Sequence, residues 1–212
     1  IDYITGLDAS YKDDILSADG DLKPSYASTV KMLRAPYLNT EYFGFYMDSE
    51  ISEYQSELIR QAVNYGFDRS KMMKYLRNGI GIPGVGGFIP KGLPGHNEDV
   101  GYDYHPEKAK QLIETYRTES GNSEPEITLT TTANYLSFSE FIQRELQSIG
   151  LTIRIEVMPP SSLKSAKSNG KIDLFRASWV ADYPDAQNYL SLFYSVNFAP
   201  DGPNYTHFKD AQ

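Results

Sequence analysis

Ten consecutive residues, Arg176-Ala177-Ser178-Trp179-Val180-Ala181-Asp182-Tyr183-Pro184-Asp185, bring together a guanidinium, the chain's one indole, a phenol and two carboxylates. A fixed cation pairs with a carboxylate and a fixed anion with an ammonium, and charge-assisted hydrogen bonds of this kind are the strong ones. Arg176, Trp179, Asp182 and Tyr183 therefore suit a ligand that carries an amine, a carboxylate and some apolar surface. Two other uses of the same residues compete. Asp182 and Asp185, three positions apart across a proline, could act as the paired carboxylates of glycoside hydrolysis. Alternatively Trp179 packs into the core and the charges are simply solvated.

Other chemistry finds less support. The chain has no cysteine, which removes thiol catalysis, disulfides and Cys-ligated metals. Its three histidines, His96, His105 and His207, are scattered and make no H-x-x-x-H pair for a metal. No Ser-His-Asp or Cys-His set and no G-x-S-x-G is present. No catalytic residue, metal ligand or cofactor is assigned on these grounds.

The elements that must position the ten residues can be read around them. Ile172-Asp173-Leu174-Phe175 begins a buried strand over 172–178, and Pro184 can start a helix. The ten residues thus fall at a strand's carboxyl end, where ligands sit in open α/β sheets. Upstream lies the clearest pattern in the chain. Glu126 to Thr132 reads as a strand. Ser137 to Ile149 reads as a helix with Phe138, Phe141, Ile142, Leu146 and Ile149 on one face, ended by Gly150. Leu151, Ile153, Ile155 and Val157 then alternate with polar residues in a half-buried strand. This is a βαβ unit whose two strands should run parallel. Pro159 and Pro160 open a short helix to about Asn169, so the C-terminal half reads β-α-β-α-β.

The N-terminal half is mixed. Strands are expected at Ile1 to Gly6, Thr29 to Arg34 and Tyr42 to Met47, and a helical stretch at Ala9 to Ser17. Ser52 is placed to cap a helix over Glu53 to Tyr65, with Leu58, Ile59, Ala62 and Val63 as its apolar stripe and Gly66 as its stop. Asp68 caps a second helix, Arg69 to Arg77, stopped by Asn78-Gly79, and His105-Pro106 starts another. Between them, residues 79–106 form a loop dense in Gly and Pro. It contains a formal G-x-G-x-x-G, but a helix precedes it and Pro83 prevents one from following, so the dinucleotide reading fails. A loop this long wraps or docks on a surface rather than contacting a ligand directly. The last stretch, Val196 to Gln212, reads as coil. The fold class is α/β, with a mixed sheet flanked by helices, and residues 1–212 are expected to form one lobe.

At 212 residues, with 40% hydrophobic and 23% charged residues, the chain can bury an ordinary core. A formal charge of -8 and the lack of a Lys/Arg cluster argue against a nucleic-acid partner and against an anionic membrane surface. No apolar run is long enough to span a bilayer. Both ends, Ile1 and Asp210-Ala211-Gln212, read as cut points in a longer protein. The 17 tyrosines supply rings with polar tips, which suit interfaces and ligands of mixed polarity.

Five segments in order carry a resemblance. Leu58 to Arg69 is similar to an R-Q-A-hydrophobic-N-Y-A-I-D-R helix, and Ile82 to Pro94 to a Gly/Pro loop. Tyr104 to Leu112 is similar to Y-D-P-E-K-A-K-x-L-L. Trp179 to Asp185, with Asn188-Tyr189-Leu190, is similar to W-x-A-D-Y-P-D-P-x-N-F-L. Gly202 to Tyr205 resembles the Asn-containing loop that follows. Together they resemble the extracytoplasmic solute-binding proteins of family 5, the oligopeptide, dipeptide and nickel receptors of ABC importers. The resemblance implies a type II periplasmic-binding-protein-like fold. It makes this chain the second of two lobes that close on a ligand, with the first lobe and the C-terminal return lying outside it. It implies a peptide or similar small solute as ligand, ABC permease subunits as partners, a monomer, no enzymatic activity, and a periplasmic or lipid-anchored extracytoplasmic location. Residue by residue, Asp182 would meet the ligand's α-ammonium, Arg176 its carboxylate, and Trp179 would line the pocket. Asp185 and Asn188 would cap the helix after Pro184. Arg60 would be structural, pairing with a carboxylate or at a lobe contact. Ala186 departs from the family's usual Pro. A sensor or interaction module of the same fold is a further alternative.

Overall fold

The computed structural model describes residues 7, 11–34 and 37–210. Their helices are α1 (Lys12–Ile15), α2 (Ser52–Gln55), α3 (Glu57–Tyr65), α4 (Arg69–Arg77), α5 (Pro106–Ser120), α6 (Leu136–Ser148), α7 (Pro160–Ser168) and α8 (Ala186–Leu190). The strands are β1 (Asn39–Phe45), β2 (Glu126–Thr131), β3 (Thr152–Val157) and β4 (Leu174–Val180). The chain divides into two compact units, Ile1–Tyr37 with Arg69–Pro83, and Leu38–Asp68 with Gly84–Gln212.

The larger unit is built on one sheet of order β1-β4-β2-β3. β2 runs parallel to both β3 and β4, as the βαβ pattern predicts, while β1 joins the edge antiparallel to β4. The period-2 alternation buries Ile127 and Leu129 on β2 and Ile153 on β3, and α6 packs on both strands through Phe141, Ile142 and Leu146. A second cluster joins Leu163 of α7 to Ile172, Phe175 and Ala177, with Tyr42, Met158, Ala166 and Tyr205 against it. Helix α3 packs on α5, burying Ile59, Ala62 and Val63 from one and Ala109, Ile113 and Tyr116 from the other. Each fully buried Leu, Ile or Phe contributes about 1.5–3 kcal/mol.

Phe175 illustrates the fit. It is fully buried, and Gly44 lies opposite it in the β1–β4 register. A Cβ at position 44 would stand 2.8 Å from the Phe175 ring, so only glycine lets that ring lie over the neighbouring strand. At the other end of the sheet, Gly150 turns the chain out of α6 with φ +98, a region L side chains rarely adopt. Its carbonyl accepts from Arg117 Nη2 at 2.9 Å.

Several expectations are corrected. Thr29 to Arg34 forms no strand: a turn brings the Thr29 amide to the Tyr26 carbonyl at 3.0 Å, and no strand partner lies beside it among the described residues. β-propensity is realised only where a sheet edge is on offer. The expected strand at Tyr42 to Met47 lies instead at Asn39–Phe45, and that at 172–178 lies at Leu174–Val180, because β1 and β4 pair along their whole length. The helix expected over Glu53 to Tyr65 is split at Ser56, whose backbone is extended. Arg60 stabilises the break by donating to the carbonyls of Tyr54 at 2.8 Å and Gln55 at 2.6 Å. Its role is structural, but its partners are backbone carbonyls rather than a carboxylate. In the described part of the helical stretch expected at Ala9 to Ser17 the helix is α1, and the strand at Ile1 to Gly6 lies outside the described residues.

The part of the long loop within the larger unit docks through Phe88. Its ring meets Tyr42 at 5.0 Å and Phe193 at 4.8 Å, and its carbonyl accepts from Thr40 Oγ1 at 3.2 Å. The C-terminal stretch is held around Asn204, which is fully buried. Asn204 Nδ2 donates to the Tyr194 and Phe208 carbonyls, and its Oδ1 accepts from Thr206 Oγ1.

Candidate functional site

At the carboxyl end of β4 the sheet ladder runs one residue past the strand, with the Ala181 amide donating to the Leu38 carbonyl at 2.9 Å. Trp179, opposite Thr40 in the register, is half-buried. Its indole Nε1 donates to Asn188 Oδ1 at 2.7 Å. The same oxygen accepts the Asp182 amide at 3.2 Å, and Asn188 Nδ2 reaches Asp182 Oδ2 at 3.5 Å. Asn188 is 4% exposed. It is therefore a buried bracket that fixes the indole and the turn bearing Asp182. It does not cap a helix, as the sequence suggested.

Asp185 is the cap: its Oδ1 accepts the Gln187 amide at 2.8 Å. Tyr189 is buried, and its hydroxyl donates to the Leu38 carbonyl at 2.9 Å, which ties α8 to the segment leading into β1. On this base Asp182 is exposed and Tyr183 is 47% exposed. The long contact to Asn188 is the hydrogen bond that the Asp182 carboxylate accepts among the described residues. What results is an anion and two aromatic rings at a strand end, held from below by a satisfied amide.

Arg176 belongs to a different group. It stands three residues before Trp179 on the same strand, and side chains alternate, so the two project to opposite faces of the sheet. Its guanidinium carbon lies 3.4 Å from the centroid of the Tyr135 ring. Its Nη2 forms a close ion pair with Glu41 Oε2. Tyr135 donates its hydroxyl to Glu41 Oε1 at 3.2 Å, which closes a three-residue ring. Asn39 Nδ2 also donates to Glu41 Oε1 at 3.0 Å. The Arg176 side chain is 14% exposed and that of Glu41 38%. Arg176 Nε is buried without an acceptor among the described residues.

Sequence reasoning missed Glu41 and Tyr135, which lie far from Arg176 in the chain. Only the odd spacing of Arg176 and Trp179 within a strand could have signalled that they part company. Lys167, on α7, is also new: its Nζ sits 4.1 Å over the Tyr205 ring. Burial, the positive charge of Arg176 and that of Lys164 push its amine down to about 8. Burial likewise pushes the Tyr42 hydroxyl up, with Tyr205 adding to the shift and Arg176 opposing it.

Two hollows are present in the larger unit. One of about 310 Å³ lies at the carboxyl ends of β2 and β3 and the start of α7, lined by Thr132, Asn134, Val157, Met158 and Pro160 among others. Another of about 390 Å³ lies at the start of α5, lined by Tyr65, Asp103, His105 and Lys108 among others. Trp179 and Asp182 line neither. Among the described residues no group of His, Asp or Glu could hold a metal ion, and no helix is long and apolar enough to cross a membrane.

A parallel β-α-β core with an antiparallel edge strand and helices against it is an α/β fold of the type II periplasmic-binding-protein class. Solved structures agree. A Listeria monocytogenes OppA bound to peptide superimposes with a TM-score of 0.74 at 23% identity, covering 94% of this chain and 42% of that one. The periplasmic binding protein DppA from Helicobacter pylori, in complex with peptide STSA, gives 0.72 at 23% identity, covering 82% of this chain and 34% of that one.

The chain belongs to the bacterial extracellular solute-binding proteins, family 5 (middle), whose pattern it matches over residues 1–200. The dipeptide-binding protein of Escherichia coli (strain K12) is 24% identical over 183 residues, which are 84% of this chain and 34% of that protein. The probable di/tripeptide-binding protein 5 of Pseudomonas aeruginosa (strain UCBPP-PA14) is 24% identical over 159 residues, 72% of this chain and 29% of that protein. The chain thus spans about a third of the length of these curated relatives.

Proposed function

We propose that this chain is the second lobe of a substrate-binding component of an ABC importer, capturing peptides or similar small solutes between two lobes for uptake. The observation that carries the reading is the Trp179–Asn188–Asp182 bracket. It spends a buried amide on presenting an exposed carboxylate beside a half-buried indole at the end of β4. Asp182 is then the partner of a ligand's ammonium, and Trp179 and Tyr183 are the apolar wall. Relatives named for di- and tripeptides support peptides as the solute class. The partners are permease subunits of the importer. The protein works as a monomer in the periplasm or tethered outside the membrane, and it carries out no catalysis. Asp185 caps α8, which leaves the paired-carboxylate hydrolase without an observation in its favour.

The test uses the full-length protein. Short peptides with free N-termini should raise its thermal midpoint as their concentration rises, and N-acetylated peptides should not. Asp182→Ala removes a charge-assisted contact of about 1.5–3 kcal/mol, so affinity for free-amine peptides should fall roughly 10- to 150-fold by calorimetry. Equal binding by the variant refutes the role of Asp182. The isolated lobe should bind weakly, because a hinge-closing receptor divides its contacts between both lobes.

A further inference from the structure

We infer that Glu41 sets the ligand specificity of this lobe by occupying Arg176, so that the receptor takes peptides without reading a free terminal carboxylate there; the inference rests on the peptide reading above. A guanidinium recognises a carboxylate by offering two N–H groups in one plane. In this chain the guanidinium is already neutralised from within, through one of its N–H groups. Glu41 Oε2 is ion-paired with Arg176 Nη2. Tyr135 covers one face of the guanidinium at 3.4 Å. The Tyr135 hydroxyl and Asn39 Nδ2 both donate to Glu41 Oε1, at 3.2 and 3.0 Å, and hold the carboxylate in place.

The β1–β4 register makes this arrangement possible. Glu41 faces Ser178, so its side chain lies on the same face as Arg176, one diagonal step away. Glu41 is the more exposed member of the pair, its side chain 38% exposed against 14% for Arg176. A ligand carboxylate approaching Arg176 meets Glu41 first, and like charges repel. The lobe therefore presents one ligand-directed charge, the exposed Asp182 carboxylate on the turn after β4, and a cation that is internally neutralised. Such a wall selects for an ammonium at one end of the ligand and is indifferent to an acid or an amide at the other.

Calorimetry on the full-length protein tests this with trialanine and trialanine amide. Wild type should bind the two within about threefold of each other, and Glu41→Gln should bind the acid about tenfold or more tighter than the amide, the worth of one charge-assisted hydrogen bond. Gln keeps the shape and the acceptor for Tyr135, and Glu41→Thr, which also removes the carbonyl that Gln could offer Arg176, carries the same expectation. A wild type that already prefers the acid tenfold overturns the inference, as does a Glu41→Gln variant whose acid-to-amide ratio is unchanged. A second measurement is independent of peptide binding. N-acetylglycine, a carboxylate without an amine, should raise the thermal midpoint of Glu41→Gln in proportion to its concentration and leave wild type unmoved. If neither peptide binds but N-acetylglycine separates the two proteins, the peptide reading falls and the screening role of Glu41 stands. If N-acetylglycine acts equally on both, the screening role falls.

Discussion

Replacing Asn188 with alanine should both unfold the strand-end turn and change the colour of the chain's fluorescence. Asn188 is buried, and its Oδ1 accepts from two donors, the Trp179 indole at 2.7 Å and the Asp182 amide at 3.2 Å. Alanine leaves both donors without that acceptor. A buried donor left unpaired costs about 1–3 kcal/mol. The half-buried indole can recover part of this from water, so the two losses together should come to about 2–4 kcal/mol. For a chain of this size each kcal/mol lowers the midpoint by about 2–4 °C, so Tm should fall by roughly 5–15 °C. Trp179 is the only tryptophan in the 212 residues, so intrinsic emission of this chain reports directly on the site. Urea unfolding followed by that emission gives both readouts. The folded variant should emit to the red of wild type, because the indole N–H turns to solvent. A variant within about 0.5 kcal/mol of wild type, the range of neutral surface changes, with an unshifted emission maximum would refute the claim that Asn188 holds the site together.

Two further substitutions probe the frame behind the site. Gly44→Ala puts a Cβ 2.8 Å from the Phe175 ring and 3.0 Å from Thr206, and should cost about 1–3 kcal/mol in urea unfolding, as overpacked cores do; a neutral result would mean that Phe175 has room to move. Lys167 tests a pH dependence. Its folded amine titrates at about 8 against an unfolded value of 10.5, so the unfolded chain binds more protons between those limits, and the cost of burying the charge is full below about 8 and relieved as pH rises towards 10.5. Lys167→Met should therefore gain roughly 1–2 kcal/mol over wild type at pH 7, allowing for solvent screening and the lost contact with Tyr205, and much less at pH 10. A difference that does not change with pH would show that the amine is not desolvated.

Local patterning carried most of the larger unit. The change from period 3.6 in Phe138, Phe141, Ile142 and Leu146 to period 2 in Leu151, Ile153 and Ile155 reports burial on one face of each element, and burial is what the folded βαβ unit supplies. Where burial depended on distant partners the same signals misled. Thr29 to Arg34 has the composition of a strand but no strand to pair with among the described residues, and where the Glu53 to Tyr65 helix breaks at Ser56, Arg60 satisfies the carbonyls that the break exposes.

The ten residues from Arg176 to Asp185 were legible as a candidate site because their types are unusual and their place at a strand's carboxyl end is set by neighbouring residues alone. How they divide was not. Trp179 and Asp182 are joined by Asn188 within one turn and one short helix, whereas Arg176 is taken by Glu41, 135 positions earlier in the chain. That second partnership exists because β1 adds to the sheet antiparallel to β4 in one particular register. A register is chosen by the energy of the whole packed sheet, not by any residue's own preference. Chemistry-bearing residues and local elements could thus be read along the chain, while the pairing that engages Arg176 and leaves Asp182 exposed was set only when the strands met.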